Sequence, residues 1–229
     1  LLFFSAFVFA GIGMGMWYGL IFIFVDAYLD KGFWFAEIYL ATFVVGAISS
    51  LVWIAVSKRV GKKLAWIIAM LLGVVSFLYT SAFSPNSVPY AAILILLVIN
   101  TLCFSCAESL PQSMLSDIVD YSTLKYRAYR GSTYFSLYIF TYKAVFAVGG
   151  ALGLAIAGIY GFDPASTSHS AESVSGLMLA MVWVPTSCVL ISIVFIALSP
   201  INLKRHEIIR RRLHRLGERG SSDQSLALT

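Results

Sequence analysis

Six long apolar runs, separated by short polar segments, make up most of the chain. A membrane-spanning α-helix needs roughly 20 predominantly apolar residues, and each run approaches or exceeds that length. Backbone polar groups in lipid must be satisfied within their own segment, which favours a helix for every run. The pattern predicts an all-α bundle over 1–200, with spans near 1–25, 33–56, 64–83, 89–110, 132–160 and 173–198, and a tail over 201–229.

Positive charge marks one side of the predicted membrane. Lys and Arg are concentrated after the second run, after the fourth run and in the tail, whereas the other connectors hold only Lys31. The positive-inside rule places the three basic segments in the cytoplasm, and all three agree with an even number of spans. We therefore predict a multi-pass protein of the cell membrane with both ends of this segment cytoplasmic and the basic tail against anionic membrane lipids.

The composition fits a membrane protein and argues against other classes. Hydrophobic residues make up 59% of the chain and charged residues 12%, whereas about a quarter of a soluble domain is charged. The net charge of +5 then reports topology, and we predict no nucleic-acid partner. Cys103 and Cys106 form a CxxC inside an apolar run without a histidine cluster, so we expect packing residues, no metal site and no cofactor. The three histidines lie in an outer connector and the tail, which argues against a metal-dependent enzyme.

Two motifs carry a family resemblance. Residues 110–125 read LPQSMLSDIVDYSTLK, and residues 58–63 read KRVGKK. The first resembles the Pro…Met-x-x-Asp-x-x-Asp-Tyr-x-x-x-Lys signature of the glycoside–pentoside–hexuronide:cation symporters, a family of the major facilitator superfamily. The second is similar to that family's basic turn between helices eight and nine. Lys143, followed by a glycine-rich stretch, matches a lysine of its helix eleven.

The resemblance covers nearly the whole chain and implies a function. The six spans correspond to helices 7–12 of a twelve-helix fold, so an N-terminal six-helix half is the implied partner. The implied activity is alternating-access symport of a sugar or glycoside with Na⁺ or H⁺. The resemblance implies an aromatic residue that lines the sugar site at the position of Glu108, where this sequence has a carboxylate, and the pattern after Lys125 also differs. These departures keep open a non-sugar solute (an organic anion, a lipid or a drug), and a non-transport six-helix scaffold is a further alternative.

The candidate pathway residues lie inside the predicted membrane. A cation at the centre of a bilayer costs about 2.5–3.5 kcal/mol on insertion scales, so intramembrane charges mark transport paths by default. Lys143, in the middle of the fifth run, is expected to face the bundle interior or a water-filled cavity. Glu108, placed at the cytoplasmic end of the fourth span, is a candidate substrate or proton contact. Aromatic candidates for the pathway are Tyr138, Tyr142 and Trp17.

A second charged group is predicted at the cytoplasmic surface. Asp117 and Asp120 are three residues apart and share one face if their segment is helical. Because Lys125, Arg127 and Arg130 follow closely, we expect a charge network that breaks and re-forms as two halves of a transporter rock. Small residues at intervals of four (Gly149, Gly153, Ala157 and Gly161) predict a ridge for close helix packing in the fifth span.

Overall fold

Each apolar run forms one long helix. A computed structural model describes residues 2–85, 87–166 and 168–199, and it contains no strand within those ranges. The six helices are α1 (Leu2–Tyr28), α2 (Phe35–Val60), α3 (Lys62–Thr80), α4 (Tyr90–Tyr126), α5 (Gly131–Ile159) and α6 (Ala171–Leu198), and all are long and apolar enough to cross a membrane. The predicted all-α, six-span fold is confirmed. The predicted tail over 201–229 lies outside the described residues.

The fourth helix is much longer than its apolar run. α4 passes through the buried Pro111 and ends at Tyr126, where Arg127 adopts a left-handed conformation with φ 52°. Proline is tolerated inside membrane helices because neighbouring groups can satisfy the backbone it leaves free. The sequence predicted that the fourth span ends near residue 110, but the helix continues to Tyr126. Glu108 lies inside a continuous helix rather than at its end, and Asp117 and Asp120 are helical as supposed.

Two helices contain a wide π-helical turn. α1 finishes in the turn Phe24–Tyr28, and α6 changes to a π-helix over Leu179–Trp183 before Pro185. Proline has no N–H for the residue four positions earlier, and its ring crowds that carbonyl. A widened turn just before Pro185 relieves the crowding and lets the helix continue.

The helices pack in two related sets of three. α1 packs against α5 and α6, α4 packs against α2 and α3, and α3 meets α6. Exchanging α1 with α4, α2 with α5, and α3 with α6 reproduces the same pattern of neighbours. Inverted repeats of three helices within each six-helix half are a property of major facilitator transporters.

Glycines allow α1 and α5 to approach closely. A Cβ atom added to Gly15 would lie 2.5 Å from the backbone oxygen of Phe146, and one added to Gly19 would lie 3.0 Å from the Cα of Gly150. Gly149 and Gly153 of α5 are buried in the same contact. Gly161 does not belong to this ridge, because it follows the end of α5 with φ 74° and an added Cβ would touch nothing within 4 Å.

Two helices remain largely uncovered. Of the most apolar window of each span, 22% is buried in α2 and 17% in α5, compared with 44–61% in the other four. These two helices are exchanged by the repeat relation described above. Each repeat of three helices therefore has one largely uncovered helix, α2 in the first repeat and α5 in the second.

Candidate functional site: a groove between α1, α2, α4 and α5

A groove of about 600 Å³ opens between four of the helices. This volume lies within the range of about 300–1,000 Å³ that is typical of small-molecule sites. Its walls combine aromatic rings, hydroxyl groups and one carboxylate. The lining residues are Tyr18 of α1, Tyr39, Thr42, Phe43, Gly46, Ala47 and Ser50 of α2, Thr101, Phe104, Ser105, Glu108 and Ser109 of α4, and Phe146 of α5.

Helical periodicity explains why these residues share one surface. The groove residues of α2 and those of α4 each follow alternating steps of three and one along the sequence. Positions three and four apart lie on the same face of an α-helix, so each set forms one continuous stripe. The two stripes face each other across the groove.

Side-chain hydrogen bonds fasten α2 to α4 beside the groove. The backbone oxygen of Leu102 accepts hydrogen bonds from Ser49 Oγ at 3.1 Å and from Trp53 Nε1 at 2.7 Å. Ser105 Oγ lies 2.8 Å from Ser49 Oγ and 3.0 Å from the same carbonyl oxygen. These contacts fix the distance between the two lining stripes.

Glu108 is the charged group of the groove. Its side chain is exposed, and the hydroxyl of Tyr142 donates to its Oε1 over 3.4 Å. Asp117, nine residues further along α4, pairs with Lys62 at the first residue of α3. At 1.5 Å per residue, Glu108 lies about 13 Å from that level, close to half the length of the 19-residue α3. The carboxylate therefore lies about half-way along the length of α3.

Aromatic rings surround the approach to this carboxylate. The ring of Tyr18 lies 5.0 Å from that of Phe104 and 5.9 Å from that of Phe146, measured between centroids. Phe146 lies in turn 4.8 Å from Tyr142, the residue that contacts Glu108. The rings form a connected aromatic wall that crosses from α4 over α1 to α5.

The hydroxyl groups of the groove mostly donate inward. Thr42 donates to the oxygen of Tyr39 at 2.7 Å, Ser50 to that of Ala47 at 2.8 Å, and Ser109 to that of Ser105 at 2.9 Å. A hydroxyl has one proton and two lone pairs. Once the proton is bonded to the backbone, the group offers only acceptor capacity to a ligand.

The structure brings together some of the predicted pathway residues. Glu108 and Tyr142 meet at the groove, and Lys143 is the next residue of α5, with an exposed side chain. Lys143 precedes the groove residue Phe146 by three positions, so the two lie on neighbouring parts of one helix face. Lys143 therefore does not face the interior of the six-helix bundle, which was one of its two predicted positions. It lies on the open face of α5.

Two other predicted pathway residues lie elsewhere. Trp17 is 1% exposed and packs against Phe77 and Phe104 in the core. Tyr138 is 3% exposed, and its ring lies 4.6 Å from that of Phe7. Neither lines the groove. Sequence reasoning did not single out Tyr39, Phe146 or the hydroxyl stripe.

The predicted charge network has a partner that the sequence did not reveal. Lys62 Nζ lies 2.7 Å from the carboxylate of Asp117 and donates to the backbone oxygen of Ser113 at 3.2 Å. The ion pair joins α3 to α4 within the same bundle, so rocking of two halves does not require it to break. Asp120 is half-buried on the same helix.

The basic members of that network lie at the surface. Arg127 and Arg130 are exposed, and the ammonium of Lys125 lies 5.1 Å from the centre of the Tyr126 ring. Lys63, beside Lys62, donates to the backbone oxygens of Ala197 and Ser199 at 2.7 Å each. A cation at the carbonyl end of a helix is favourable, so Lys63 caps α6. Within the described part of the chain, no group of three or more His, Cys, Asp or Glu residues could hold a metal ion.

Comparison with known proteins identifies a matching family. The family model described as MFS/sugar transport protein matches residues 1–203. No curated protein matches the sequence significantly.

Proposed function

Because the chain belongs to the MFS/sugar transport protein family, we propose that it forms the C-terminal half of a cation-coupled sugar or glycoside symporter. Family membership makes it a multi-pass membrane transporter, with MFS standing for major facilitator superfamily. In the proposal, an N-terminal six-helix half completes the molecule. Na⁺ or H⁺ supplies the driving force, and the two halves rock about a central site to give alternating access. The Lys62 end of the bundle is the cytoplasmic end, as the distribution of basic residues favours.

The groove is the observation that supports this proposal best. Aromatic rings and hydroxyl groups are the side chains that stack on sugar rings and accept hydrogen bonds from their hydroxyls. The groove lies at mid-depth, where solute sites of such transporters lie at the interface between repeats. Its open side and the uncovered faces of α2 and α5 leave room for a second half.

Lys143 supports the assignment of a partner half. It is an exposed cation near the middle of the membrane, where a lone charge is costly. An acidic group of the N-terminal half would compensate it. We assign Lys143 to the substrate or coupling pathway on this basis.

Solute uptake tests the proposal directly. Protein expressed from its full reading frame is reconstituted in proteoliposomes, and labelled neutral glycosides are offered with an inward Na⁺ gradient, an inward H⁺ gradient or neither. We expect accumulation that depends on one gradient. Ala47→Trp, which fills the groove, should abolish it, whereas Ala155→Trp, at an exposed position of α5 outside the groove, should not.

A non-sugar solute is the second candidate, and the carboxylate of Glu108 favours it. A panel that adds organic anions, lysolipids and cationic drugs to the neutral glycosides separates the two. Gradient-driven uptake of one of these classes alone would replace the sugar in the proposal. If well-folded protein transports no solute under any gradient, the proposed transport function is wrong and a scaffold role replaces it.

A further inference from the structure

We propose that the groove selects a solute carrying a cationic ammonium nitrogen, which is held by the carboxylate of Glu108 and the surrounding aromatic rings. This inference rests on the proposed function, since it treats the groove as the solute site. Within the proposed transport function, it replaces neutral sugars as the expected solutes by amino sugars or quaternary ammonium compounds.

The charge of the groove is the first argument. Glu108 is its single formally charged lining residue, and no Lys or Arg side chain contributes to the walls. A carboxylate near the middle of a membrane needs a cation or several hydrogen-bond donors to compensate for lost hydration. Tyr142 supplies one donor, and its 3.4 Å distance is longer than a good hydrogen bond between oxygens. The carboxylate thus retains capacity for a cationic ligand.

The aromatic walls are the second argument. Rings attract ammonium groups through the negative potential of their faces, and cages of several rings are the usual site for quaternary ammonium ligands. The ring of Tyr18 is close to those of Phe104 and Phe146, and Tyr39 and Phe43 line the opposite wall on α2. A site that combines a carboxylate with several aromatic rings suits an ammonium solute better than it suits an uncharged sugar ring.

The direction of the hydroxyl hydrogen bonds is the third argument. Thr42, Ser50 and Ser109 donate their protons to backbone oxygens and present lone pairs to the groove. An ammonium with N–H groups, or hydroxyls beside a quaternary nitrogen, can donate to these lone pairs. An anionic solute would meet acceptors and a carboxylate of like charge. Lys143 forms no ion pair with Glu108, so the carboxylate has no cationic partner among the described residues.

Matched solute pairs test the inference. Choline is compared with 3,3-dimethyl-1-butanol, its uncharged carbon analogue, and glucosamine with glucose and glucuronate, all in proteoliposomes of the protein expressed from its full reading frame. The first pair represents a quaternary ammonium compound and the second series an amino sugar. We expect one ammonium member to be taken up at least about tenfold faster than its neutral analogue at equal low concentration. Glucuronate should be the poorest of the sugar series.

The variant Glu108→Gln keeps the size and hydrogen-bonding groups of the side chain but removes its charge. In this variant, each ammonium solute and its neutral analogue should be taken up at similar rates. Glu37→Gln is the matched control, since Glu37 is an exposed carboxylate in the first turn of α2 outside the groove. It should leave the preference unchanged. Choline should also raise the melting temperature of the purified wild-type protein, and this shift should be lost in Glu108→Gln.

Several results would overturn the inference. Neutral glucose transported as fast as glucosamine, with no preference for choline and no choline-induced shift, would remove it while leaving gradient-driven sugar transport intact. Glu108→Gln that abolishes gradient dependence but keeps the solute preference would assign Glu108 to ion coupling instead. If folded wild-type protein takes up none of the solutes and none of them raises its melting temperature, both the proposed function and this inference are rejected.

Discussion

At the level of single residues, the ion pair between Lys62 and Asp117 offers a sharp test of packing at the end of the bundle. The two side chains are 25% and 12% exposed, which lies between a surface pair and a buried one. Surface pairs contribute about 0–1 kcal/mol, and breaking a buried pair costs about 3–5 kcal/mol. We therefore expect Lys62→Met to lower the free energy of unfolding by about 1–2 kcal/mol, measured by denaturation in detergent.

Two further variants identify the partner in that ion pair. Lys58→Met is the control, because Lys58 is an exposed lysine in the last turn of α2. It should change stability little. If Lys62 acts through Asp117, Lys62→Met should cost less in an Asp117→Asn background than in the wild type. Equal costs in the two backgrounds would contradict the pairing.

The candidate site could be predicted from sequence in part. Glu108, which lines the groove, and Lys143, which follows the Glu108 contact Tyr142 in α5, stand out in the sequence because charge inside a membrane is costly. Trp17 and Tyr138, also predicted for the pathway, lie in the core outside the groove. An aromatic residue in an apolar helix gives no sign in the sequence of whether it faces a core or a groove. Lys62 was missed as the partner of Asp117, since 55 residues separate them and only the folded arrangement of α3 and α4 brings them together.

At the level of helices, the contact of α1 with α5 depends on the absence of side chains. Gly149 is buried against α1, where an added Cβ would overlap the backbone near Ile12. Gly149→Val should separate the helices and lower the stability of the bundle by about 1–3 kcal/mol, the usual cost of overpacking. The melting temperature of the purified protein in detergent measures this effect.

Gly158 provides a matched control for that substitution. It lies in the same helix, and a Cβ atom at this position would meet nothing within 4 Å. Gly158→Val removes a glycine from α5 without crowding α1, so its melting temperature should stay near that of the wild type. Equal losses in the two variants would show that helix propensity, and not packing, is the cause.

Helix positions followed from hydropathy, but helix ends did not. The six spans appear where apolar runs predict them, because lipid demands both length and internal hydrogen bonds. The end of α4 was misplaced because Pro111 and the following charges are typical of a connector, although the helix continues to Tyr126. The stripes that line the groove were available in the sequence, since steps of three and one from Tyr39 to Ser50 define one helical face.

At the level of the whole molecule, the repeat relation explains which faces are open. α2 and α5 are exchanged by the relation, and both are largely uncovered. Each contributes to the groove, α2 with a polar stripe and α5 with Phe146 and the neighbouring Lys143. The sequence predicted the number of helices but not this arrangement, because helix pairing depends on contacts between distant segments.

The open faces lead to a prediction about the chain in isolation. If the groove is one wall of a site between two halves, residues 1–229 reconstituted alone should give no gradient-driven uptake. Co-expression with an N-terminal six-helix half of the same transporter should restore it, because major facilitator transport requires two halves to rock about the site. Uptake of the labelled solute by proteoliposomes of each preparation provides the measurement.

A substitution of Lys143 distinguishes loss of transport from loss of folding in the same two preparations. Its side chain is exposed and makes no ion pair within the described residues, so Lys143→Met should leave the melting temperature of the isolated chain unchanged. In the co-expressed pair, the acid that we propose to face Lys143 would lose its partner, and uptake should fall by at least about tenfold. Lys58→Met should keep wild-type uptake, since Lys58 lies at the end of α2 away from the groove. Robust uptake by the isolated chain would instead show that these six helices, alone or as a dimer, form a complete transporter.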